Sequence, residues 1–294
     1  MATIGTKKTL GWYLSQQAKA WIGFHAELAS GVLYRIMIRL NGRSFCRLYN
    51  LKAWLSGADV RAQFDAGSGR SFVRSPAYRV ETYPQRRATI YSKGVEARAK
   101  KLGADYLLPL VHFADGDVVI DCGANVGDLK LYFRDLGVAV EYVGIEPGPG
   151  EFAVLQRNVQ PSKVHNVGLW NEDGELTFYV SSGGADSSLI EPPAYDSVTR
   201  VPTRRLDTLV DYPRIKLLKI EAEGAEPEAL EGATGLLDRI EYITADVGGE
   251  RGIEQESTLA PVTNFLLGRG FEFVALNPAR LSALYRNTRF ANDR

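Results

Sequence analysis

Val118-Val-Ile-Asp-Cys-Gly-Ala-Asn-Val-Gly127 decides the fold. Three apolar residues run into an acid and then a glycine turn, the pattern of a buried strand that reverses tightly and opens a helix. Gly123 permits the reversal, and Gly127 lets the following helix start close beneath a ligand. Free N–H groups at that helix start suit a polar or anionic group. Outward from this stretch, Val126–Leu136 reads as a helix, Val140–Glu146 as a strand, Gly150–Val159 as a helix and Val164–Leu169 as a strand. Glu175–Val180 alternates after the turn at Asn171–Gly174. Lys216–Glu221 is a strand, Pro227–Leu237 a helix, Glu241–Asp246 a strand and Leu259–Leu267 a helix, with Phe271–Leu276 and Leu281–Arg286 as a closing pair. Strands alternating with helices over short connections predict an α/β fold, a doubly wound, mostly parallel sheet.

The glycine turn is not the dinucleotide fingerprint, because Asn125 stands where Gly-x-Gly-x-x-Gly needs its middle glycine. Glu146 ends the next strand, where an acid accepts both hydroxyls of a ribose. Asp121 is placed to face a cationic amino group. An amino acid joined to a nucleoside describes S-adenosylmethionine better than a pyrophosphate-bearing dinucleotide.

The blocks Val119-Ile-Asp-Cys-Gly-Ala-Asn-Val-Gly127, Gly144-Ile-Glu-Pro147, Asn166-Val-Gly-Leu169 with Gly174-Glu-Leu-Thr-Phe-Tyr179, Arg205-Leu-Asp-Thr-Leu209 and Leu218–Ala233 come in the order seen in FkbM-type methyltransferases. From about Asp115 to Leu276 the chain resembles that family. The resemblance implies the class I, Rossmann-like methyltransferase fold and S-adenosylmethionine-dependent O-methylation, with S-adenosylhomocysteine as the product. Carried over position by position, it implies that Asp121, Cys122, Gly123, Ala124, Asn125 and Gly127 line the methionine end. Glu146 and Pro147 then hold the ribose, and Asn166 to Leu169, Gly168 among them, border the adenine. The family pattern has Asp where this chain has Glu221, and Ala245-Asp-Val-Gly-Gly-Glu250 also departs from it.

Lys219, Glu221 and Glu223 end a strand and share one of its faces, since side chains i and i+2 do. Methyl transfer to a hydroxyl needs in-line placement and a base. Glu221 is the expected base, Glu223 a substrate or cofactor contact and Lys219 their electrostatic tuner. Glu223 as a cap of the helix near Ala225 is the bland alternative. Cys122 packs equally well as a small apolar residue. No His/Cys cluster suggests zinc, so no metal is expected, although Glu221, Glu223 and Asp246 offer oxygen ligands of the kind Mg²⁺ takes. Ser181–Ser188 reads as a mobile substrate-side loop. Glu191-Pro-Pro-Ala-Tyr195 imitates the Asp/Asn-Pro-Pro-Tyr of DNA amino-methyltransferases but follows a glycine-serine loop, not an apolar strand.

The 294 residues carry 35 basic and 35 acidic side chains, 45% hydrophobic residues and two cysteines, which excludes a disordered tail and a disulfide-dense miniature. The zero net charge hides a split. Residues 1–105 hold 18 basic and 6 acidic side chains, and residues 106–294 hold 17 basic and 29 acidic. The expected organisation follows it: a basic N-terminal region over 1–105 for acceptor binding, docking or oligomerisation, and a catalytic domain over 106–294. Leu10, Leu14, Trp21, Leu28, Val32 and Ile36 mark one helical face over residues 7–40, ended by Asn41-Gly42. That face packs on the body or a second subunit, or lies on an anionic membrane. Phe72-Val-Arg74, Tyr78–Tyr83 and Ala88–Tyr91 read as short strands, and Val95–Leu102 as a basic helix.

No apolar run is long enough to span a bilayer, and the chain is expected in the cytoplasm, with peripheral membrane contact allowed. The leading function is transfer of a methyl group to a hydroxyl of a sugar, glycan or glycosylated natural product. A phosphate-bearing acceptor suits the basic region. A nucleic-acid methyltransferase and a non-catalytic cofactor-binding module are the alternatives. Nucleic acid is disfavoured, because the basic residues are spread singly among apolar ones.

Overall fold

A computed structural model describes residues 31–181 and 186–290 of the chain. The N-terminal part opens with a helical run over 31–37 and the helix α1 (Gly42–Leu55). Three short antiparallel strands follow, β1 (Arg61–Phe64), β2 (Ser71–Arg74) and β3 (Arg79–Thr82). Phe45, Cys46, Tyr49 and Ala53 line one side of α1 and bury against Val60, Ala62, Val73 and Val80. The Asn50 side chain binds both the N–H (2.7 Å) and the C=O (3.0 Å) of Ala62, standing in for the neighbour that edge strand β1 lacks. Leu10, Leu14, Trp21 and Leu28 lie outside the described residues. Val32 and Ile36 are helical and exposed.

Two N-terminal readings change. Residues 43–69, without a clear pattern in the sequence, contain α1 and β1. Ala88–Tyr91 is not a strand but part of a 3₁₀ turn over Gln85–Tyr91. Pro84 before it has no N–H for a ladder, and Gln85 is fastened to Gly42 by two hydrogen bonds of 2.6 and 3.0 Å. The helix α2 (Val95–Asp105) then leads into the main body.

The main sheet uses β4 (Val118–Cys122), β5 (Glu141–Ile145), β6 (Lys163–His165), β10 (Ile215–Ile220), β11 (Ile240–Asp246), β14 (Phe271–Asn277) and β15 (Ser282–Asn287), in the order β14-β15-β11-β10-β4-β5-β6. The pairs β11–β10, β10–β4, β4–β5 and β5–β6 are parallel, and β15 runs antiparallel to β11 and β14. Around it pack α3 (Leu129–Leu136), α4 (Pro149–Asn158), α5 (Leu206–Leu209), α6 (Glu226–Glu231) and α7 (Leu259–Leu267). One core, around Ile120, Leu218, Leu230, Ile243 and Leu266, covers one face. The other, around Val119, Leu129, Phe133, Leu155 and Leu217, covers the opposite face. The doubly wound reading therefore holds.

Strand order reverses between β4 and β10, where the register sets Asp121 beside Lys219 and Cys122 beside Ile220. A crevice opens beyond the carboxyl ends of strands at such a point. Val164–Leu169 is not one strand. β6 ends at His165, and β7 (Gly168–Leu169) joins a second sheet with β9 (Ser197–Arg204) and β8 (Gly174–Val180). Asn166 causes the break by donating its side-chain amide to the carbonyls of Glu146 (2.8 Å) and Pro147 (3.0 Å). Among the described residues no helix is long and apolar enough to cross a membrane.

Candidate active site

A cavity lies over the ends of β4, β5 and β10. Asp121, Cys122, Gly123, Ala124, Asn125, Glu146, Pro147, Gly168, Lys219, Glu221 and Glu223 all line it. Gly127 and Asn166 do not, which corrects their expected places. A Cβ on Gly127, whose φ is +89°, would come within 2.3 Å of Val159 Cγ1, so this glycine lets the helix pack on its neighbour. Asn166 acts through the backbone of Glu146 and Pro147 rather than on the cavity. Gly123 is set more tightly still. Its φ is +70°, and a Cβ there would lie 1.9 Å from the Glu221 carbonyl oxygen, so only glycine allows the β4 turn to touch the β10 turn.

Lys219 is the hub. At 3% exposure its Nζ lies 2.9 Å from Asp121 Oδ1 and 2.9 Å from Glu221 Oε2. It also donates to the carbonyls of Cys122 (3.1 Å) and Gly123 (3.0 Å). Burial alone would lower its pKa, but Asp121 and Glu221 more than reverse that and hold it charged. Asp121 lines the cavity and is also tied into the protein. Its other oxygen accepts the Tyr142 hydroxyl at 2.5 Å, so both oxygens have internal partners. Burial still raises its pKa despite Lys219. Cys122 is a packing residue whose thiol burial pushes up to about 12.

Glu146 accepts the N–H of Gly148 on one oxygen and of Asn125 on the other, each at 2.8 Å. Each oxygen keeps one lone-pair direction, enough for two hydroxyls. Burial raises its pKa to about 7, against the pull of those two N–H groups. Asn125 presents its N–H from a left-handed backbone, φ +49°.

The expected roles of the β10 carboxylates change. Glu221 is held between Lys219 and Arg280 and takes the Tyr106 hydroxyl. Burial favours its neutral form, but the two cations outweigh it and bring its pKa to about 2. A carboxylate that holds a proton so weakly is a poor base near neutrality. Glu223 is different. Its backbone is left-handed, φ +50°, and turns it away from Lys219 into the cavity. Burial, and next the charge of Glu250, push it up to about 10. Glu250, on the cavity wall from β12 (Gly249–Arg251), is raised by burial and Asp246 to about 7. Helix capping falls to Glu226, whose Oε1 accepts the N–H groups of Ala222 (2.9 Å) and Gly224 (3.2 Å), which leaves Glu223 for the cavity.

Sequence reasoning missed several wall residues. Arg280, from the β14–β15 turn, bridges Glu221 and Asp246 (2.8 Å to Asp246 Oδ2), where the carboxylates of a Mg²⁺ site would have met. Arg98 comes from the N-terminal side of the expected boundary at residue 105/106, and Tyr106 stands at that boundary. Arg98, on α2, reaches the cavity wall and donates through Nε to Asp128 (3.2 Å), which also takes the Tyr91 hydroxyl. Asp186 and Ser187 bring the glycine-serine loop to the opening, and Ser188 Oγ donates to the Glu223 carbonyl (2.8 Å); residues 182–185 lie outside the described residues. Tyr195 of the Pro-Pro-Ala-Tyr stretch is absent from the wall and packs edge-on to Tyr179.

The Methyltransferase FkbM domain model matches residues 121–273, from the acid at the end of β4 into β14. The chain belongs to the FkbM methyltransferase family. It is 28% identical to Methyltransferase 1 of Beauveria bassiana over 166 residues, 47% of this chain and 67% of that one. With Methyltransferase sdnD of Sordaria araneosa it shares 26% over 172 residues, 45% of this chain and 66% of that one. The matches thus span about two thirds of those relatives' length. Among solved structures, the N-terminal domain of human METTL16 in complex with SAH is similar at 16% identity and a TM-score of 0.35, over 76% of this chain and 75% of that one. This FkbM enzyme is a class I methyltransferase, and S-adenosylmethionine is its cofactor.

Proposed function

We propose that the enzyme methylates a hydroxyl of a sugar, glycan or glycosylated natural product, with the Glu223–Glu250 carboxyl pair taking the proton. The carrying observation is the pair itself. Two half-buried acids line the cavity beyond the pinned Glu221, and burial and neighbouring charge raise one of them to about 7. An alcohol attacking a methyl group forms a C–O bond and must lose its proton, and a positioned carboxylate with a pKa near the working pH is suited to receive it. Lys219 and Arg280 keep Glu221 ionised, so it is suited to binding and field rather than proton transfer.

The wall also fits the cofactor. S-adenosylmethionine supplies a methyl group on a positively charged sulfur. Glu146 suits its ribose hydroxyls, and the carboxylates of the cavity suit its charge. Lys219 and Arg280 are committed to carboxylates. Arg98 keeps its terminal N–H groups for the carboxylate of the methionyl part, because among the described residues only its Nε is bonded.

The test is a screen of nucleotide sugars, free glycans and lipid-linked glycans, read by mass for the addition of one methyl group. Transfer to a sugar hydroxyl is expected. Methylation of RNA, DNA or a non-glycosylated small molecule alone would overturn the sugar reading.

A further inference from the structure

Residues 31–58 contain Arg35, Arg39, Arg43, Arg47 and Lys52 and no acidic side chain. The same stretch exposes Val32, Tyr34, Ile36, Ile38, Leu51, Trp54 and Leu55, seven of the nineteen large exposed hydrophobic residues described. In α1 this is organised by face. Phe45, Cys46, Tyr49 and Ala53 are buried against the small sheet. Arg43, Arg47, Leu51 and Trp54 follow at helical spacing on the opposite side, all exposed, with Trp54 at 75%. One side of the helix is a core face. The other is a basic end followed by an apolar end with a tryptophan.

We propose that this outer face of α1, with the neighbouring residues 32–39, docks the enzyme on an anionic phospholipid surface. Guanidinium groups gain from anionic headgroups, while Leu51, Trp54 and Leu55 gain from the acyl boundary. Either signal alone binds weakly, and the face carries both. Charge argues against other occupants. A second copy pairing through the same face would set five cations against five. Residues 1–30 of the chain hold three lysines and one glutamate, again the same sign. Nucleic acid would satisfy the arginines but leave the apolar half of the face in water. The surface is coupled to the active site, since Gly42 at the start of α1 is tied to Gln85, and Arg87 on the same 3₁₀ turn lines the cavity. Docking in this sense is independent of which hydroxyl is methylated.

The experiment is sedimentation of the full chain with vesicles of phosphatidylcholine alone and of phosphatidylcholine mixed with phosphatidylglycerol. Binding to the mixed vesicles only is expected, weakening as salt rises. R43Q with R47Q should lower partitioning by about 25-fold, roughly fivefold per charge. W54S with L55S should lower it at least tenfold at unchanged charge. Retained affinity for S-adenosylhomocysteine in both variants shows that the fold is intact. Three results overturn the proposal: no binding to the anionic vesicles, equal binding to neutral ones, or a dimer that W54S converts to monomer.

Discussion

The catalytic sheet and the small N-terminal sheet treat cations in opposite ways. At the end of β10, Lys219 is buried and meets two carboxylates and two carbonyls, and Arg280 bridges one of those carboxylates, Glu221, to a third acid, Asp246. Across β1, β2 and β3, Arg61, Arg74 and Arg79 stand directly opposite one another and exposed, and among the described residues none has an ion pair. Arg79 stacks on Phe72, 3.7 Å from the ring centre, and Glu81 further along pairs with Arg157 of α4 instead. In the interior a lone charge is too costly, so position is fixed by mutual neutralisation. At the surface water tolerates the ladder, and its net field is left for a partner. The charge split in the sequence is therefore a division between charges that organise a site and charges that face outward.

The largest effect expected on the interior side is on rate. Glu223→Gln should cut kcat by about 10²–10⁴-fold, the usual contribution of a positioned base. The pH profile separates it from Glu221. The pair first ionises at Glu250, near pH 7, so kcat/KM should fall as pH drops below about 7, whereas Glu221, at about 2, would leave the rate flat through that range. Glu250→Gln removes the member that ionises near 7 and leaves Glu223, which burial still raises, so the acid limb should shift. An unshifted limb in Glu250→Gln, with activity retained in Glu223→Gln, would return the base to another group.

Lys219→Met sharpens the contrast in stability. It strands Asp121 and Glu221 without their shared cation, and loss of one partner of a buried pair costs about 3–5 kcal/mol. Urea unfolding measures it. A cost below about 1 kcal/mol would mean that water or Arg280 relieves both acids, and the hub would lose its structural role.

Much of this site was legible because its parts are local. Asp121, Gly123 and Glu146 follow from strand ends and a turn, and Lys219 and Glu221 share a face by period-2 spacing. Glu226 could have been found, as an acid in the first turn of a helix. Arg280 could not. It lies 59 residues from Glu221 and reaches it only because β15 pairs with β11, a long-range register that no local pattern encodes. Tyr106 and Arg98 were hidden for the same reason, outside every motif block. The helix α1 was missed although Phe45, Tyr49 and Ala53 recur at helical spacing, because arginines between them blurred the apolar stripe. Glu221 and Glu223 looked equivalent in sequence. A left-handed residue and a distant arginine make them opposite in acidity.

Glu146 tests whether the interior groups also serve a ligand. Glu146→Ala should weaken S-adenosylhomocysteine at least tenfold, about 1.4 kcal/mol, read by calorimetry. The acid has a second signature. Its folded pKa, about 7, lies above the 4.5 of an unperturbed glutamate. The folded state therefore keeps a proton that the unfolded chain releases first, so its contribution to stability declines as pH rises from about 4.5 through about 7. Glu146→Gln should flatten part of that slope in the ligand-free protein.

The smallest effect belongs to the outer ladder, and its sign is the point. Like charges directly opposite on adjacent strands repel by roughly 0.2–1 kcal/mol per pair, and Arg74 sits between two of them. Arg74→Thr, which also favours strand geometry, should raise the unfolding midpoint slightly, and added salt should raise that of the unmutated chain while leaving the variant nearly unmoved. A loss of stability in Arg74→Thr would mean that the ladder is held by contacts within the chain, and the contrast with Lys219 would collapse.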